Sequence, residues 1–109
     1  MASDKMTIVT DANFSSEVEQ SNLPVLVDFG ATWCGPCKAL GSTIDGMIDG
    51  YEGKIKFCYV DIQDAPAAAA KFGIRSVPTV IVFKGGAPAG SLLGAVAKPK
   101  LIELISQVE

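Results

Sequence analysis

The chain has 109 residues, of which 49% are hydrophobic and 19% are charged, so it can form one compact domain over residues 1–109 and is too apolar for disorder. Its 9 basic and 12 acidic residues give a net charge of −3, and the scattered lysines argue against a nucleic-acid partner. Because the chain contains no histidine, imidazole metal ligands and proton shuttles are excluded, and we expect no metal and no other cofactor.

The first predicted elements are a short strand and a helix. Met6–Val9 is a β-prone run. Thr10 and Asp11 follow it, and either residue can cap a helix that carries Phe14 and Val18 four residues apart on one face. The chain is therefore predicted to begin with a strand followed by a helix.

A buried strand and a glycine-containing helix are predicted next. Val25–Phe29 is an apolar run interrupted by one acid, which is typical of a strand covered on both faces, so we expect it at the centre of the sheet. Beyond Cys37, apolar residues at helical spacing predict a helix that reaches Tyr51. The glycines at positions 41, 46 and 50 weaken this helix by up to about 1 kcal/mol each if they fall inside it.

The alternation of strands and helices continues in the second half of the chain. Ile55–Ile62 predicts another apolar strand. Asp64 then supplies an N-cap, with proline in the first turn, for an alanine-rich helix that reaches Phe72. These elements establish a β-α-β-α order.

The last elements predict a hairpin and a helix. Val77–Phe83 is a strong strand, residues 84–87 form a turn, and Ala89–Leu93 can return antiparallel to it. Pro99 opens a final helix. The expected fold class is α/β, with a mixed central sheet and helices on both of its faces.

The sequence also bears on the cellular compartment. Residues 1–9 lack the apolar run of a secretory signal, and no apolar run approaches the roughly 20 residues of a membrane span. We therefore expect a cytoplasmic protein with no membrane partner.

Two of the three cysteines have a spacing that favours redox chemistry. In Cys34-Gly-Pro-Cys37, the first cysteine lies where unpaired helix N–H groups and the helix dipole stabilise a thiolate, so it is the candidate nucleophile. The two intervening residues let the second sulfur reach the first. A structural disulfide, a zinc site and a chance pair are the alternatives, although a short loop gains little from closure and zinc requires four ligands. Cys58, inside a strand, is interpreted as a small buried hydrophobe.

Several segments together carry a family resemblance. They are Val25–Phe29, Ala31–Lys38, Phe72–Thr79, Phe83–Gly86 and Gly94. In order and separation they resemble the thioredoxin family, and the match spans nearly the whole chain. The resemblance implies a thioredoxin fold and a protein-disulfide reductase that cycles between dithiol and disulfide.

The resemblance also implies the roles of three residues. Cys34 attacks a substrate disulfide, and Cys37 resolves the mixed disulfide that forms. Asp28 lies buried beneath the pair and moves the proton to or from Cys37. A strand-end carboxylate that faces solvent is the alternative for Asp28, although its apolar neighbours argue against exposure.

Further residues are implied for substrate binding. Pro78 carries a cis peptide bond that lets the Val77 backbone pair with a substrate segment, and Trp33 covers the site. An ordinary trans proline and a core tryptophan are the alternatives. The resemblance places an apolar docking rim at Gly35, Pro36, Gly94 and Ala95, of which the last two are otherwise a turn before the final helix.

The implied partners are a flavin-dependent, NADPH-consuming thioredoxin reductase and disulfide-containing client proteins, and we expect a monomer. An oxidising folding catalyst and a binding scaffold with an incidental dithiol are the alternative functions. Three positions depart from the family pattern. Gly30 stands where the family commonly has an aromatic residue, and it leaves the site floor less filled. Ser42 replaces a proline that usually kinks the active-site helix, and Tyr59 stands where many members carry a lysine close to the buried acid.

Overall fold

A five-stranded sheet and three α-helices account for most of the computed structural model, which describes residues 5–109. The expected domain range of 1–109 thus includes four residues that lie outside the described part. The strands are β1 (Thr7–Val9), β2 (Val25–Gly30), β3 (Lys56–Asp61), β4 (Thr79–Lys84) and β5 (Ala87–Leu93). The α-helices are α1 (Gly35–Asp45), α2 (Pro66–Lys71) and α3 (Lys98–Ser106).

The sheet is mixed, with strand order β1-β3-β2-β4-β5. β3 pairs in parallel with β1 and β2, whereas β4 pairs antiparallel with β2 and β5. The strand at 25–30 therefore lies at the centre, as its apolar run predicted, and the mixed α/β class is confirmed. Because side chains alternate along a strand, each face of β2 meets a different layer of helices.

Two hydrophobic clusters cover the two faces. On one face, α1 and α3 pack against the sheet; their buried residues include Leu40, Ile44, Leu101, Leu104 and Ile105. On the other face, Phe14, Val18, Ala65 and Ala68 pack against the sheet's remaining apolar side chains. The prediction of helices on both faces is confirmed. In residues 5–109, none of the helices combines the length and apolarity that a bilayer crossing requires.

The predicted capping of two helices is wrong. The segment that carries Phe14 and Val18 is a short π-helix, Ser15–Glu19, whose N-cap makes no side-chain hydrogen bond. Asp11 instead caps α2, since its carboxylate oxygens accept hydrogen bonds from Ala67 N at 2.9 Å and Ala68 N at 3.0 Å. Asp64 does not cap that helix, because the N-cap position belongs to the residue that follows it. A carboxylate distant in sequence has taken the place of the local one.

Other boundaries shift by a few residues. The helix predicted to reach Tyr51 ends at Asp45, Gly46 is its C-cap, and a separate 3₁₀ turn follows at Ile48–Tyr51. The helix is continuous through Ser42, where the family resemblance implies that a proline is usual. The strand predicted from Val77 begins two residues later, after a cis peptide bond.

The predicted hairpin joins β4 to β5 through two glycines. Gly85 and Gly86 have φ angles of 62° and 82°, and Lys84 pairs with Ala87 across the turn. Positive φ at both central positions is the requirement of a type I′ turn, which matches the twist of the strands and favours glycine.

Candidate active site

The two nearby cysteines form a disulfide at the start of α1. Cys34 is the N-cap of this helix, and the first helical residues are Gly35 and Pro36. The Cα atoms of Cys34 and Cys37 are 5.3 Å apart, and Cys34 Sγ accepts a hydrogen bond from Cys37 N at 3.1 Å. The first sulfur therefore lies where helix N–H groups stabilise negative charge. This is the arrangement that the sequence predicted for the nucleophile.

The segment before β4 lies directly beside this sulfur. Cys34 Sγ is 3.8 Å from the carbonyl oxygen of Val77, and the Val77–Pro78 peptide bond is cis, as the family resemblance implied. Pro78 O accepts a hydrogen bond from Gly94 N at 2.9 Å. The loops before β4 and after β5 are therefore joined next to the disulfide.

Exposed apolar side chains surround the cysteines. Trp33 is 67% exposed, so a core position for it is wrong. Leu93, which the sequence analysis did not single out, is 69% exposed and pairs with Thr79 in the sheet, next to Pro78. Its position at the end of an exposed edge strand could have indicated it. Gly35, Pro36 and Ala95 are also exposed, and Gly94 is partly exposed.

The cysteines themselves are largely covered. Cys34 is 5% exposed to solvent and Cys37 only 1%. They pack with Ala31, Ile62 and Val77 in a small apolar cluster. An incoming disulfide therefore meets the Cys34 sulfur before that of Cys37.

A buried carboxyl group lies on the central strand, on the sheet face covered by α1. Asp28 is 1% exposed, and burial raises its pKa from 3.8 to about 7. The alternative of a solvent-facing carboxylate is wrong. Its Oδ1 has no hydrogen-bond partner among the described residues. A carboxyl group with this pKa can take up and release a proton near neutral pH.

The floor of the site is filled from β3. A Cβ atom built on Gly30 would lie 3.0 Å from Tyr59 Cε1, 3.2 Å from Tyr59 Oη and 3.5 Å from Cys37 Cβ. The expectation that Gly30 leaves the floor less filled is therefore wrong, because the Tyr59 ring takes up this space. The sequence did contain an indication, since the family resemblance implies an aromatic residue at position 30, where this chain has glycine, and a lysine at position 59, where this chain has an aromatic residue.

The third cysteine faces away from the pair. Cys58 is fully buried among the residues of the opposite sheet face, in register with Val27. Burial raises the pKa of its thiol to about 12. Its interpretation as a small buried hydrophobe is supported. No group of potential metal ligands occurs among residues 5–109.

The comparisons with known proteins agree with this geometry. The family model described as Thioredoxin matches residues 5–107. Thioredoxin from Pyropia yezoensis and Thioredoxin 1 from Nostoc sp. are each 44% identical to the chain over 99 residues, which cover 91% of this chain and 92% of each relative. The chloroplastic Thioredoxin M-type of Zea mays is 42% identical over 106 residues, 97% of this chain and 64% of that protein. The chain belongs to the thioredoxin family and is a thiol-disulfide oxidoreductase.

Proposed function

We propose that this oxidoreductase is a general protein-disulfide reductase in which Cys34 is the nucleophile. The thiolate of Cys34 attacks one sulfur of a substrate disulfide, the substrate S–S bond breaks, and a mixed disulfide forms. The Cys37 sulfur then bonds to Cys34, and the substrate leaves as its second thiol. Two electrons pass to the substrate, and the Cys34–Cys37 disulfide remains.

The observation that carries the order of attack is the position of the two sulfurs at the start of α1. Cys34 is at the N-cap and is the more exposed of the pair, whereas Cys37 is one turn inside the site. Helix N-termini favour thiolates, and access favours the outer sulfur.

In this proposal Asp28 is the proton acceptor and donor for Cys37. When Cys37 attacks the mixed disulfide it must lose its proton, and a buried carboxylate on the same side of the sheet can accept it. A pKa of about 7 suits this role, because both protonation states are then populated near neutral pH. The proton returns to solvent or to Cys37 during the next cycle.

The substrate segment is proposed to dock across the rim beside Cys34. Val77 and Pro78 present an irregular backbone segment next to the sulfur, and an extended peptide can pair with such a segment. Trp33, Gly35, Pro36, Gly94 and Ala95 would contact the apolar side chains of that peptide. The proposed partners are disulfide-containing client proteins and an NADPH-dependent flavin reductase that regenerates the dithiol. We also propose that the protein acts as a cytoplasmic monomer and that residues 1–109 form a single domain.

Reduction of insulin by dithiothreitol tests the reductase activity. We expect the protein to accelerate precipitation of the insulin chains, Cys34→Ser to abolish the acceleration, and Cys58→Ala to retain it. When the reduced Cys37→Ser variant is freed of dithiothreitol and mixed with insulin, it should accumulate a mixed disulfide, which can be isolated and identified by mass spectrometry. No acceleration over dithiothreitol alone would instead support a scaffold with an incidental dithiol. Faster oxidation of a model dithiol peptide than reduction of the disulfide form of the same peptide would support the oxidising catalyst.

A further inference from the structure

We infer that the Tyr59 hydroxyl donates a hydrogen bond, through one ordered water, to the ionised Asp28 carboxylate and acts as a positioning residue for proton transfer at Cys37. The inference rests on the proposed role of Asp28. It assigns to this chain a second buried polar group in the proton-transfer region, which comes from the neighbouring strand.

The sheet register brings the two groups together. Asp28 on β2 pairs directly with Tyr59 on β3 in a parallel ladder, so both side chains project from the same face of the sheet. Gly30 lies two residues further along β2 on this same face, and the Tyr59 ring leans over it. The phenol is therefore adjacent to the acid in the sheet and extends toward the cysteine pair.

The hydroxyl extends to the cysteine side of the acid. Tyr59 Oη lies 3.2 Å from the position that a Cβ on Gly30 would occupy, and Cys37 Cβ lies 3.5 Å from the same position. The hydroxyl and the resolving cysteine thus border one small space. Glycine at position 30 leaves this space to the ring, because a Cβ atom there would crowd the ring at 3.0 Å.

Both polar groups lack partners in the described part of the chain. Asp28 Oδ1 and Tyr59 Oη make no hydrogen bond there. Both atoms are buried, since the two residues are only 1% and 6% exposed. Buried polar atoms in proteins are nearly always satisfied by protein or by ordered water. A carboxylate accepts and a phenol donates, so each group supplies what the other requires.

The charges around the phenol favour donation over ionisation. Burial and, to a smaller extent, the negative charges of Asp61, Asp28 and Asp64, which repel a phenolate, together raise the pKa of Tyr59 to about 12. Asp61 is on the same strand, Asp64 lies in the loop that follows, and the cysteine pair borders the site from α1. Tyr59 is therefore a neutral donor throughout the pH range in which Asp28 titrates.

In the reaction, the Tyr59 hydroxyl acts on the ionised form of Asp28. When Cys37 bonds to Cys34, its thiol proton passes to the Asp28 carboxylate and the substrate thiolate leaves with the electron pair of the broken S–S bond. The water-mediated hydrogen bond from Tyr59 stabilises the carboxylate before this transfer, and it holds the acceptor oxygen on the cysteine side. Hydrogen bonding to the ionised form lowers the pKa of an acid, so it opposes the effect of burial.

Tyr59→Phe removes the hydroxyl and retains the ring that fills the space over Gly30. We expect the titration midpoint of Asp28, followed by carboxyl ¹³C NMR of the oxidised protein, to rise by about one pH unit. The pH profile of mixed-disulfide resolution should move upward with it. Tyr51→Phe is the matched control, because Tyr51 is the other tyrosine and packs against Phe57 in the core. It should leave both readouts unchanged.

A measurement on the unmodified protein decides the question if Tyr59→Phe fails to fold. The ¹³Cζ resonance of Tyr59 should shift with the midpoint of Asp28, and that of Tyr51 should not. The inference is overturned if Tyr59→Phe folds and leaves the titration midpoint of Asp28 unchanged. It is also overturned if the ¹³Cζ chemical shift of Tyr59 stays constant while Asp28 titrates. Asp28→Asn separates this outcome from the proposed function. If Asp28→Asn leaves the pH profile of resolution unchanged, the proposed role of Asp28 itself is wrong.

Discussion

Replacing Asp28 with asparagine should change the way in which stability depends on pH. Burial raises the pKa of this carboxyl from 3.8 to about 7, and each pKa unit corresponds to about 1.4 kcal/mol. Ionising the carboxyl therefore costs about 4 kcal/mol more in the folded protein than in the unfolded chain. Asparagine has nearly the same shape and never ionises. It therefore avoids this cost at every pH.

The sign of the effect follows from proton binding. A carboxyl whose pKa is raised by folding holds its proton more tightly in the folded state than in the unfolded state. The folded protein is thus most favoured below the ordinary pKa of 3.8, loses stability as the pH rises toward about 7, and loses no more above that value. Asp28→Asn should lack this decline. The free energy of unfolding of the variant, relative to that of the parent protein, should therefore rise by about 4 kcal/mol from the acidic to the alkaline limit.

Denaturant unfolding of the oxidised protein measures this difference, because the disulfide then prevents titration of the active-site thiols. Unfolding free energies of parent and variant should be compared at about pH 4 and about pH 9. Glu52→Gln is the control, since Glu52 is an exposed carboxyl and its replacement should leave the pH dependence unchanged. Parallel stability curves for Asp28→Asn and the parent would refute the assignment of the raised pKa to burial of Asp28.

Three further outcomes follow from cysteine access and from helix capping. In the reduced protein, a limiting amount of iodoacetamide should label Cys34 before Cys37, because Cys34 is more exposed and lies at the helix N-terminus. Peptide mapping gives the order of labelling, and earlier labelling of Cys37 would contradict the prediction. Cys58→Ala should leave reductase activity near that of the parent in the insulin assay, and a large loss in a folded variant would reveal a third redox thiol. Asp11→Ala should lower the free energy of unfolding by about 1 kcal/mol through loss of the α2 cap, while Asp64→Ala, measured by the same denaturant titration, should cost less.

The order of elements and the cysteine site were accessible from sequence because they depend on short-range patterns. The apolar run Val25–Phe29 marked the central strand, since a strand covered on both faces leaves no polar alternation. The Cys34-Gly-Pro-Cys37 spacing placed the pair at a helix start, because proline belongs in the first turn. Each inference needed only neighbours within a few residues.

Contacts between segments distant in sequence were not accessible in this way. The N-cap of α2 is an example: Asp64 is the local candidate by spacing, yet Asp11, more than fifty residues earlier, supplies the two hydrogen bonds. Capping requires only that an acceptor reaches the first-turn N–H groups. Helix-capping preferences identify the residue type, here aspartate. The tertiary structure decides which aspartate lies close enough to the first-turn N–H groups of α2.

The floor of the active site shows how two departures from a family pattern can form one structural unit. Considered singly, Gly30 predicts a gap and Tyr59 predicts the loss of a positive charge beside the acid. Considered in the sheet register, the two positions lie on the same face of neighbouring strands, and the ring of one takes up the space that the other leaves. The space is therefore filled while the chemistry differs, because a neutral hydroxyl stands near Asp28 where the family resemblance implies the lysine of many members. A neutral donor opposes the burial of a carboxylate less strongly than an opposite charge does, so this chain should keep its buried acid protonated to a higher pH than relatives that retain the lysine.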